Sequence, residues 1–267
     1  MTKNKYQTIV YKKENQVAKI ILNRPQVHNA FNSTMISEML DVFGEIRNDS
    51  LVRVIVLTGE GKSFCAGADL NWMKEIIHYS FDRNVKESLE IAELLYTLYS
   101  VSKPTIAQVN GTAIGGGVGF LSACDIVLAA STAKFGLSEV KIGLIPAAIS
   151  PYVVRRMGES KAREYFLTGE RITAERAEKL GLVNHVYSPK KVEEETKKTV
   201  DRLLSSGPSA LASCKELLFK VPQISLKEAK EYTARMIANL RISDEGQEGM
   251  TAFLEKRKPK WISDKKE

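Results

Sequence analysis

A run of three glycines within residues 107–139 constrains the fold of this chain more than any other part of the sequence. The stretch before it, Thr105–Val109, is β-branched and apolar and follows a proline, which favours a buried strand. The glycines at 115–117 interrupt this pattern, and residues 118–123 resume as an apolar segment typical of a helix start. The sequence therefore predicts a strand, a tight turn and a helix whose first N–H groups are free.

Such a helix start can hold an anion. Its free N–H groups and the positive end of the helix dipole suit a phosphate, a carboxylate or the oxyanion of an enolised thioester. The segment ends in a lone carboxylate, Glu139, which can act as an acid or a base. On this stretch alone, a tight turn that binds no ligand remains the simpler explanation.

Two nucleotide-binding motifs are incomplete. A dinucleotide fingerprint that begins at Gly115 needs glycine at position 120, where Phe120 stands. A P-loop that ends in residues 61–63 needs glycine at position 56, where Val56 stands. The sequence therefore argues against Rossmann and NTPase sites.

Composition is that of an ordinary globular protein. The 267 residues are 43% hydrophobic and 27% charged, which suits one large domain with an appendage or two small domains. The net charge of +7 arises from 39 basic and 32 acidic residues spread along the chain, so no nucleic-acid partner is expected. A polar start and the lack of an apolar run of ~18 residues predict a soluble, cytoplasmic protein without a membrane partner.

Cysteine and histidine usage predicts no metal site. The three cysteines are widely spaced without a CxxC motif, which favours reduced thiols packed as small hydrophobes. The three histidines, His28, His78 and His185, do not form a ligand cluster in the sequence.

The order of strand and helix patterns predicts a layered α/β core followed by a helical appendage. Strand patterns alternate with helices up to about residue 204. The turn-rich segment SSGPSA at 205–210 marks the best boundary, and three helical patterns without a strand follow it. We therefore predict domains at 1–204 and 205–267, the second with an apolar stripe suited to a subunit interface.

Several motifs in order resemble the crotonase superfamily, the enoyl-CoA hydratase and isomerase group. They are NRPQVHNAFN at 23–32, FCAGADL at 64–70, VNGTAIGGGVGF at 109–120 followed by ACDIVLA, FGLSEVKIGLIP at 135–146, and the end EGMTAFLEKRKPKW. The resemblance implies a spiral of strand-strand-helix units and a C-terminal helical domain used in homotrimers or homohexamers.

The resemblance also implies the catalytic groups. It assigns the backbone N–H groups of Ala68 and Gly116 to an oxyanion hole and Glu139 to acid-base catalysis. Preorganised donors of this kind commonly supply ~3 to 4 kcal/mol each. The chain departs from the fullest form of the family, because Gly119 stands where a first glutamate would lie.

Coenzyme A enters as part of the substrate, an acyl-CoA thioester, and the resemblance implies no separate cofactor. A salt bridge is an equally good explanation for Arg24, and a helix cap for Asp69. The basic run at 256–260, with Lys265 and Lys266, is either a solvated terminus or a phosphate contact. The contact residues that the resemblance implies are Arg24, Val27 or its neighbour Gln26, Ala66, Ala68, Asp69, Leu70, Phe253 and Lys256.

The resemblance ranks several reactions. Residues 115–120, 137–146 and 148–154 resemble the bacterial methylglutaconyl-CoA hydratase branch of leucine breakdown, which puts hydration of a branched or carboxylated 2-enoyl-CoA first. Isomerisation of a 3-enoyl-CoA by a single glutamate is second, and decarboxylation is third. An acyl-CoA binding protein without turnover is the non-enzyme alternative. Four residues that follow the AGAD loop either tune acyl specificity or pack in the core: Trp72, Met73, His78 and Tyr79.

Overall fold

The computed structural model describes residues 5–262. The chain forms two compact units, one of Met1–Val101 with Thr105–Lys197 and one of Ser102–Pro104 with Lys198–Glu267. The predicted boundary at residue 205 follows the end of a helix, Val192–Leu204, whereas the division between the units falls inside that helix.

The first unit alternates strands and helices, as the sequence predicts. Short 3-10 helices lie at Pro25–Val27 and Glu139–Ile142. Its other elements are, in chain order, β1 (Ile9–Glu14), β2 (Val17–Leu22), α1 (Ser33–Asn48), β3 (Val54–Gly59), β4 (Ser63–Cys65), α2 (Leu70–Ile76), α3 (Phe81–Ser100), β5 (Thr105–Val109), β6 (Thr112–Ile114), α4 (Gly116–Ala123), β7 (Ile126–Ala130), β8 (Lys134–Gly136), α5 (Ser150–Met157), α6 (Glu159–Thr168), β9 (Arg171–Thr173), α7 (Ala174–Lys179), β10 (His185–Tyr187) and the first part of α8 (Val192–Leu204).

The strands form two sheets, both largely parallel. The six-stranded sheet has the order β1-β2-β3-β5-β7-β10, and the β1–β2 hairpin is its antiparallel edge. The four-stranded sheet has the order β4-β6-β8-β9, with β9 antiparallel to β8. Three pairs of consecutive strands are divided between the sheets. The first strand lies in the large sheet and the second in the small one in each of β3/β4, β5/β6 and β7/β8. The predicted α/β architecture of repeated strand-strand-helix units is confirmed.

The core of the first unit lies where the large sheet meets its helices. Every residue of β3 and β5 is buried, which explains why these strands read as apolar runs. Asn32 caps α1, with its side chain accepting from the N–H of Met35 at 3.0 Å. Across the part of the chain that the structure describes, no helix combines the length and apolar character needed to cross a membrane.

The second unit contains helices and, within its described residues, no strand. The three predicted helical patterns are confirmed as α9 (Pro208–Lys220), α10 (Leu226–Ile242) and α11 (Asp244–Leu254). Ser225 and Glu228 form a capping box at the start of α10. Within this unit Glu245 accepts hydrogen bonds from the N–H groups of Ser209 and Ala210, which ties α11 to the first turn of α9.

Four details of the structure do not follow from the local sequence pattern. Residues 71–100 form two helices and not one continuous helical segment, because Ser80 caps a new start. Leu89 lies at helical spacing with the apolar residues of α3, yet it is 62% exposed. Pro151 lies in the first turn of α5, where its missing N–H costs nothing. Cys214 is exposed, unlike Cys65 and Cys124, which are buried as predicted.

Candidate active site

Three functional segments meet at one edge of the small sheet. Ala68 follows β4 by three residues, Gly116 follows β6 by two, and Glu139 follows β8 by three. These strands are parallel neighbours, so their carboxyl ends lie side by side. Ligand sites in parallel sheets commonly form at this edge, and the topology alone brings the three predicted catalytic residues together.

The glycine turn gives α4 an open N-terminus. Gly115 has a φ of +52°, which favours glycine, and it donates its N–H to the carbonyl of Gly136 at 2.8 Å. Gly116 is the first residue of α4. Among the described residues no acceptor is found for its N–H, as expected at the first turn of a helix. The predicted free donor is therefore present.

Phe31 holds the two predicted oxyanion donors in one place. Its N–H binds the carbonyl of Gly67 and its carbonyl accepts from Asp69, both at 2.9 Å. In this parallel bridge the residue between them, Ala68, directs its own N–H away from Phe31. The Phe31 ring packs so closely on Gly116 that a methyl group built there would lie 2.3 Å from Cε1. Only glycine at position 116 permits this contact.

Asp69 and Arg24 stabilise the loop between β4 and α2. The Asp69 carboxylate caps α2 by accepting from the N–H groups of Asn71 and Trp72, and it pairs with the Arg24 guanidinium at 2.7 Å. Burial favours the neutral acid, but the ion pair and the N–H donors outweigh it and lower the pKa of Asp69. Arg24 also donates to the carbonyl of Ala30 at 2.6 Å. The structure contains the helix cap and the salt bridge that the sequence offers as explanations for Asp69 and Arg24, and contact of these residues with coenzyme A stays a prediction.

Glu139 places its carboxyl group against the glycine turn. A methyl group built on Gly115 would lie 3.1 Å from Glu139 Oε1. Oε2 is buried, and no partner for it is found within residues 5–262. Burial raises the pKa of Glu139 more than a bond from its own backbone N–H lowers it. An unpaired, desolvated carboxyl with a raised pKa is suited to proton transfer near neutral pH.

Position 119, where the family's first glutamate would lie, is closely surrounded by neighbouring side chains. A methyl group built on Gly119 would lie 2.3 Å from Ile149 Cγ2 and 3.5 Å from Leu95 Cδ2. Ile149 is 4% exposed and stands at the start of α5, in the segment that follows Glu139. Any side chain at position 119 therefore requires Ile149 to move.

Cys65 lies in the site but cannot serve as a nucleophile. Its carbonyl packs against Gly117, and burial raises the pKa of its thiol to about 12. The described residues contain no group of histidines, cysteines and acids that can hold a metal ion.

The remaining implied contacts to coenzyme A are spread over both units. Ala66 and Val27 are half-buried beside the site, and Ala66 donates its N–H to the carbonyl of His28 at 3.0 Å. Leu70 is 74% exposed at the start of α2. Phe253 and Lys256 belong to the second unit, and their role with coenzyme A stays a prediction.

The basic run of the second unit is partly neutralised. Glu248 pairs with Arg257 at 2.6 Å, accepts from the N–H of Lys260, and lies 3.8 Å from the Lys260 amine. The bonds from Arg257 lower the pKa of Glu248 to about 2. Lys265 and Lys266, the other basic residues of the predicted phosphate contact, lie outside the described residues.

Sequence reasoning missed three residues that shape the site. Phe31 and Ile149 read as ordinary core residues, and their contacts with Gly116 and Gly119 join segments far apart in the chain. Asn29 is buried with a φ of +56° and donates to the carbonyls of Glu60 and Ser63, so it clamps the start of β4. A positive φ at asparagine is common in turns, but the sequence offers no signal for its partners.

Three comparisons with known proteins give the same result. A family model described as enoyl-CoA hydratase/isomerase matches residues 12–264. A Short-chain-enoyl-CoA hydratase of Clostridium acetobutylicum is 35% identical, with 94% of this chain and 95% of the relative covered. A 2,3-dehydroadipyl-CoA hydratase of Escherichia coli is 31% identical, with 94% and 97% covered. A crystal structure of an enoyl-CoA hydratase from Shewanella pealeana matches with a TM-score of 0.93 at 39% identity, covering 96% of this chain and 97% of that one.

Proposed function

The chain belongs to the enoyl-CoA hydratase/isomerase family, and from this premise we propose that it adds water to the double bond of a 2-enoyl-CoA thioester. The observation that carries the proposal is the Glu139 carboxyl, buried and unpaired beside the open N-terminus of α4. A hydratase needs an acid-base group next to an oxyanion site, and this edge of the small sheet supplies both.

The thioester oxygen is bound by the N–H groups of Ala68 and Gly116. When water attacks C3 of the conjugated double bond, the electron pair moves through C2 and C1 onto this oxygen. Both donors are held by Phe31 before the substrate arrives, so they need no reorganisation as the charge develops.

Glu139 acts first as a base and then as an acid. Its carboxylate accepts one proton from the attacking water, and the resulting carboxylic acid returns a proton to C2 of the enolate. The product contains one added water, and Glu139 ends in its starting form. The raised pKa of Glu139 brings its proton affinity closer to that of the groups with which it exchanges protons.

For the substrate we propose a branched or carboxylated enoyl-CoA, with 3-methylglutaconyl-CoA as the first candidate. The resemblance of residues 115–120, 137–146 and 148–154 supports this choice. The Escherichia coli relative, named for 2,3-dehydroadipyl-CoA, supports an acyl chain that ends in a second carboxyl group.

Isomerisation of a 3-enoyl-CoA is the second candidate, and the contact between Gly119 and Ile149 favours it. Because Ile149 fills the space beside Gly119, a second carboxylate cannot help Glu139 to hold a water from that position. A single carboxyl that moves a proton from C2 to C4 needs no such water.

The test is turnover by purified protein on 3-methylglutaconyl-CoA, crotonyl-CoA and a 3-enoyl-CoA, with the products separated by mass. We expect a product heavier by one water from the first two thioesters, and a loss of at least about 100-fold in Glu139→Gln. The matched control is Glu170→Gln, which removes an exposed carboxyl from the same unit and is expected to keep full activity.

Each other outcome has a defined meaning. A product of unchanged mass from the 3-enoyl thioester alone makes the protein an isomerase, and release of carbon dioxide makes it a decarboxylase. Stoichiometric binding of all three thioesters without turnover indicates an acyl-CoA binding protein. Full activity in Glu139→Gln contradicts the mechanism whatever the product.

A further inference from the structure

Trp72 carries a buried polar atom that the chemistry proposed for Glu139 leaves unused. The side chain is 6% exposed, and no acceptor for its Nε1–H is found within residues 5–262. The other tryptophan of the chain, Trp261, donates its Nε1–H to the carbonyl of Ser205 at 3.1 Å. A buried indole N–H ordinarily finds a partner, so the unpaired donor of Trp72 is available to an acceptor on a ligand.

Trp72 lies close to the predicted oxyanion hole. Trp72 lies in the first turn of α2, four residues after Ala68. Its ring meets the Phe31 ring edge to face, with centroids 5.7 Å apart, and the Phe31 ring packs on Gly116. One aromatic ring therefore separates the indole from the helix start that receives the thioester oxygen.

Packing alone does not account for the indole. A phenylalanine at position 72 would make the same edge-to-face contact with Phe31 and would bury no unpaired donor. An unsatisfied buried donor destabilises a folded protein, so tryptophan at this position costs stability that phenylalanine would not.

We propose that the Nε1–H of Trp72 donates a hydrogen bond to an oxygen on the acyl chain beyond its double bond. Trp72 is then a specificity-determining residue that selects acyl-CoA thioesters with an oxygenated chain, above all a distal carboxylate. An indole N–H is a donor only, so a purely hydrocarbon chain leaves it unpaired, whereas a carboxylate accepts a charge-assisted bond. The inference rests on the proposed function, because it takes the thioester to be held at Ala68 and Gly116.

The first test compares two thioesters that differ in one carboxyl group, 3-methylglutaconyl-CoA and 3-methylcrotonyl-CoA. Trp72→Phe keeps the aromatic contact and removes the donor. We expect it to lower kcat/KM for the carboxylated thioester about 10- to 100-fold more than for its partner, the range of one hydrogen bond to a charged group. Trp261→Phe is the matched control, because its N–H already has a protein partner, and it is expected to leave the ratio of the two rates unchanged.

The second test observes the N–H directly in the wild-type protein. In protein labelled with ¹⁵N-tryptophan the chain gives two indole signals, which the two phenylalanine variants assign. We expect addition of 3-methylglutaconyl-CoA to move the Trp72 signal downfield, and 3-methylcrotonyl-CoA to move it much less. The Trp261 signal is expected to stay in place with both.

The outcomes separate this inference from the proposed function. Absence of hydration by wild-type protein on both thioesters and on crotonyl-CoA overturns the proposed function, and the indole signal then decides the role of Trp72, since it requires binding and not turnover. Hydration with equal losses on both thioesters in Trp72→Phe overturns the specificity role alone. An indole signal that responds identically to both thioesters does the same.

Discussion

At the scale of single residues, Glu139 combines reactivity with a stability penalty. Its pKa is raised mainly by burial, which disfavours the carboxylate that the proposed reaction requires. In the folded protein Glu139 therefore binds its proton more tightly than in the unfolded chain. The unfolding free energy falls as pH rises from the ordinary glutamate pKa, near 4.5, through the raised pKa of the folded state. Above that window, the folded protein carries the full cost of a buried, unpaired charge.

We therefore predict that Glu139→Gln is more stable than wild type at pH 8 and loses this advantage as pH falls toward 4.5. Glutamine is nearly isosteric and removes the charge without emptying the site. Thermal midpoints of both proteins across this pH range are the measurement, with Glu170→Gln expected to follow wild type throughout. A Glu139→Gln midpoint below that of wild type at pH 8 contradicts this account of the buried carboxylate.

The ionisation of Glu139 also sets the pH dependence of activity, which should rise with pH over the range in which stability falls. The carboxylate form of Glu139 accepts the proton of water, so log kcat/KM should fall at acid pH with a midpoint above 4.5. A pH–rate profile on crotonyl-CoA measures this midpoint. A profile that stays flat to below pH 4.5 would show that the base is another group.

At the scale of elements, α4 connects the chemistry to the packing of the helices. Its N-terminus begins with Gly116, the predicted oxyanion donor, while Gly119, one turn later, lies against Ile149 at the start of α5. Ile149 can occupy this position only because Gly119 has no side chain. The missing first glutamate is thus part of a packed contact between two helices and not an isolated substitution.

Gly119→Ala should lower the unfolding free energy by about 1–3 kcal/mol, because the new methyl group overlaps Ile149 Cγ2. On an Ile149→Ala background the same change should cost much less, giving a coupling of about 0.5–3 kcal/mol in a double-mutant cycle. Gly44→Ala in α1 is the matched control, since nothing lies within 4 Å of its added methyl group, and it should stabilise the protein by about 0.5–1 kcal/mol. Denaturant unfolding measures all four variants, and additive costs would refute the coupling.

Phe31 joins β4 and the loop that follows it to α4, as Ile149 joins α4 to α5. Phe31→Leu should lower kcat by about 10-fold or more, because the Ala68 and Gly116 donors lose their common support. Phe43→Leu, at a position 1% exposed in α1, is the control for general loss of packing. If both variants lose the same stability and the same kcat, Phe31 has no positioning role.

At the scale of the whole molecule, each unit leaves large apolar side chains exposed. Five large apolar side chains of the second unit are more than 70% exposed. The family resemblance predicts a homotrimer or homohexamer, and these side chains support a subunit interface. They are Leu218, Leu226, Ile242, Phe253 and Leu254.

We predict that the protein sediments as a trimer or as a pair of trimers at micromolar concentration. Replacing Leu226 and Leu254 with lysine should shift it toward the monomer, because two charges would be buried at the interface. Leu51→Lys, at an exposed position of the first unit, is the control and should leave the oligomer intact. A wild-type protein that sediments as a clean monomer contradicts the proposed role of the second unit.

The elements of the fold and the order of the motifs were readable from the amino-acid sequence. Apolar runs, glycine turns and capping residues such as Asn32 act over a few neighbours, so strands, helix starts and the order of motifs follow from local patterns. The free N–H of Gly116, the cap formed by Asp69 and the helical second unit were therefore predictable.

Which of these residues come into contact depends on the packed fold. The two-sheet topology sets Ala68, Gly116 and Glu139 at one edge, and contacts across large sequence separations put Phe31 on Gly116 and Ile149 on Gly119. Whether a buried polar atom such as Trp72 Nε1 has a partner depends on everything packed around it. Such facts come from packing in three dimensions, and a one-dimensional pattern carries no distance between segments that are far apart in the chain.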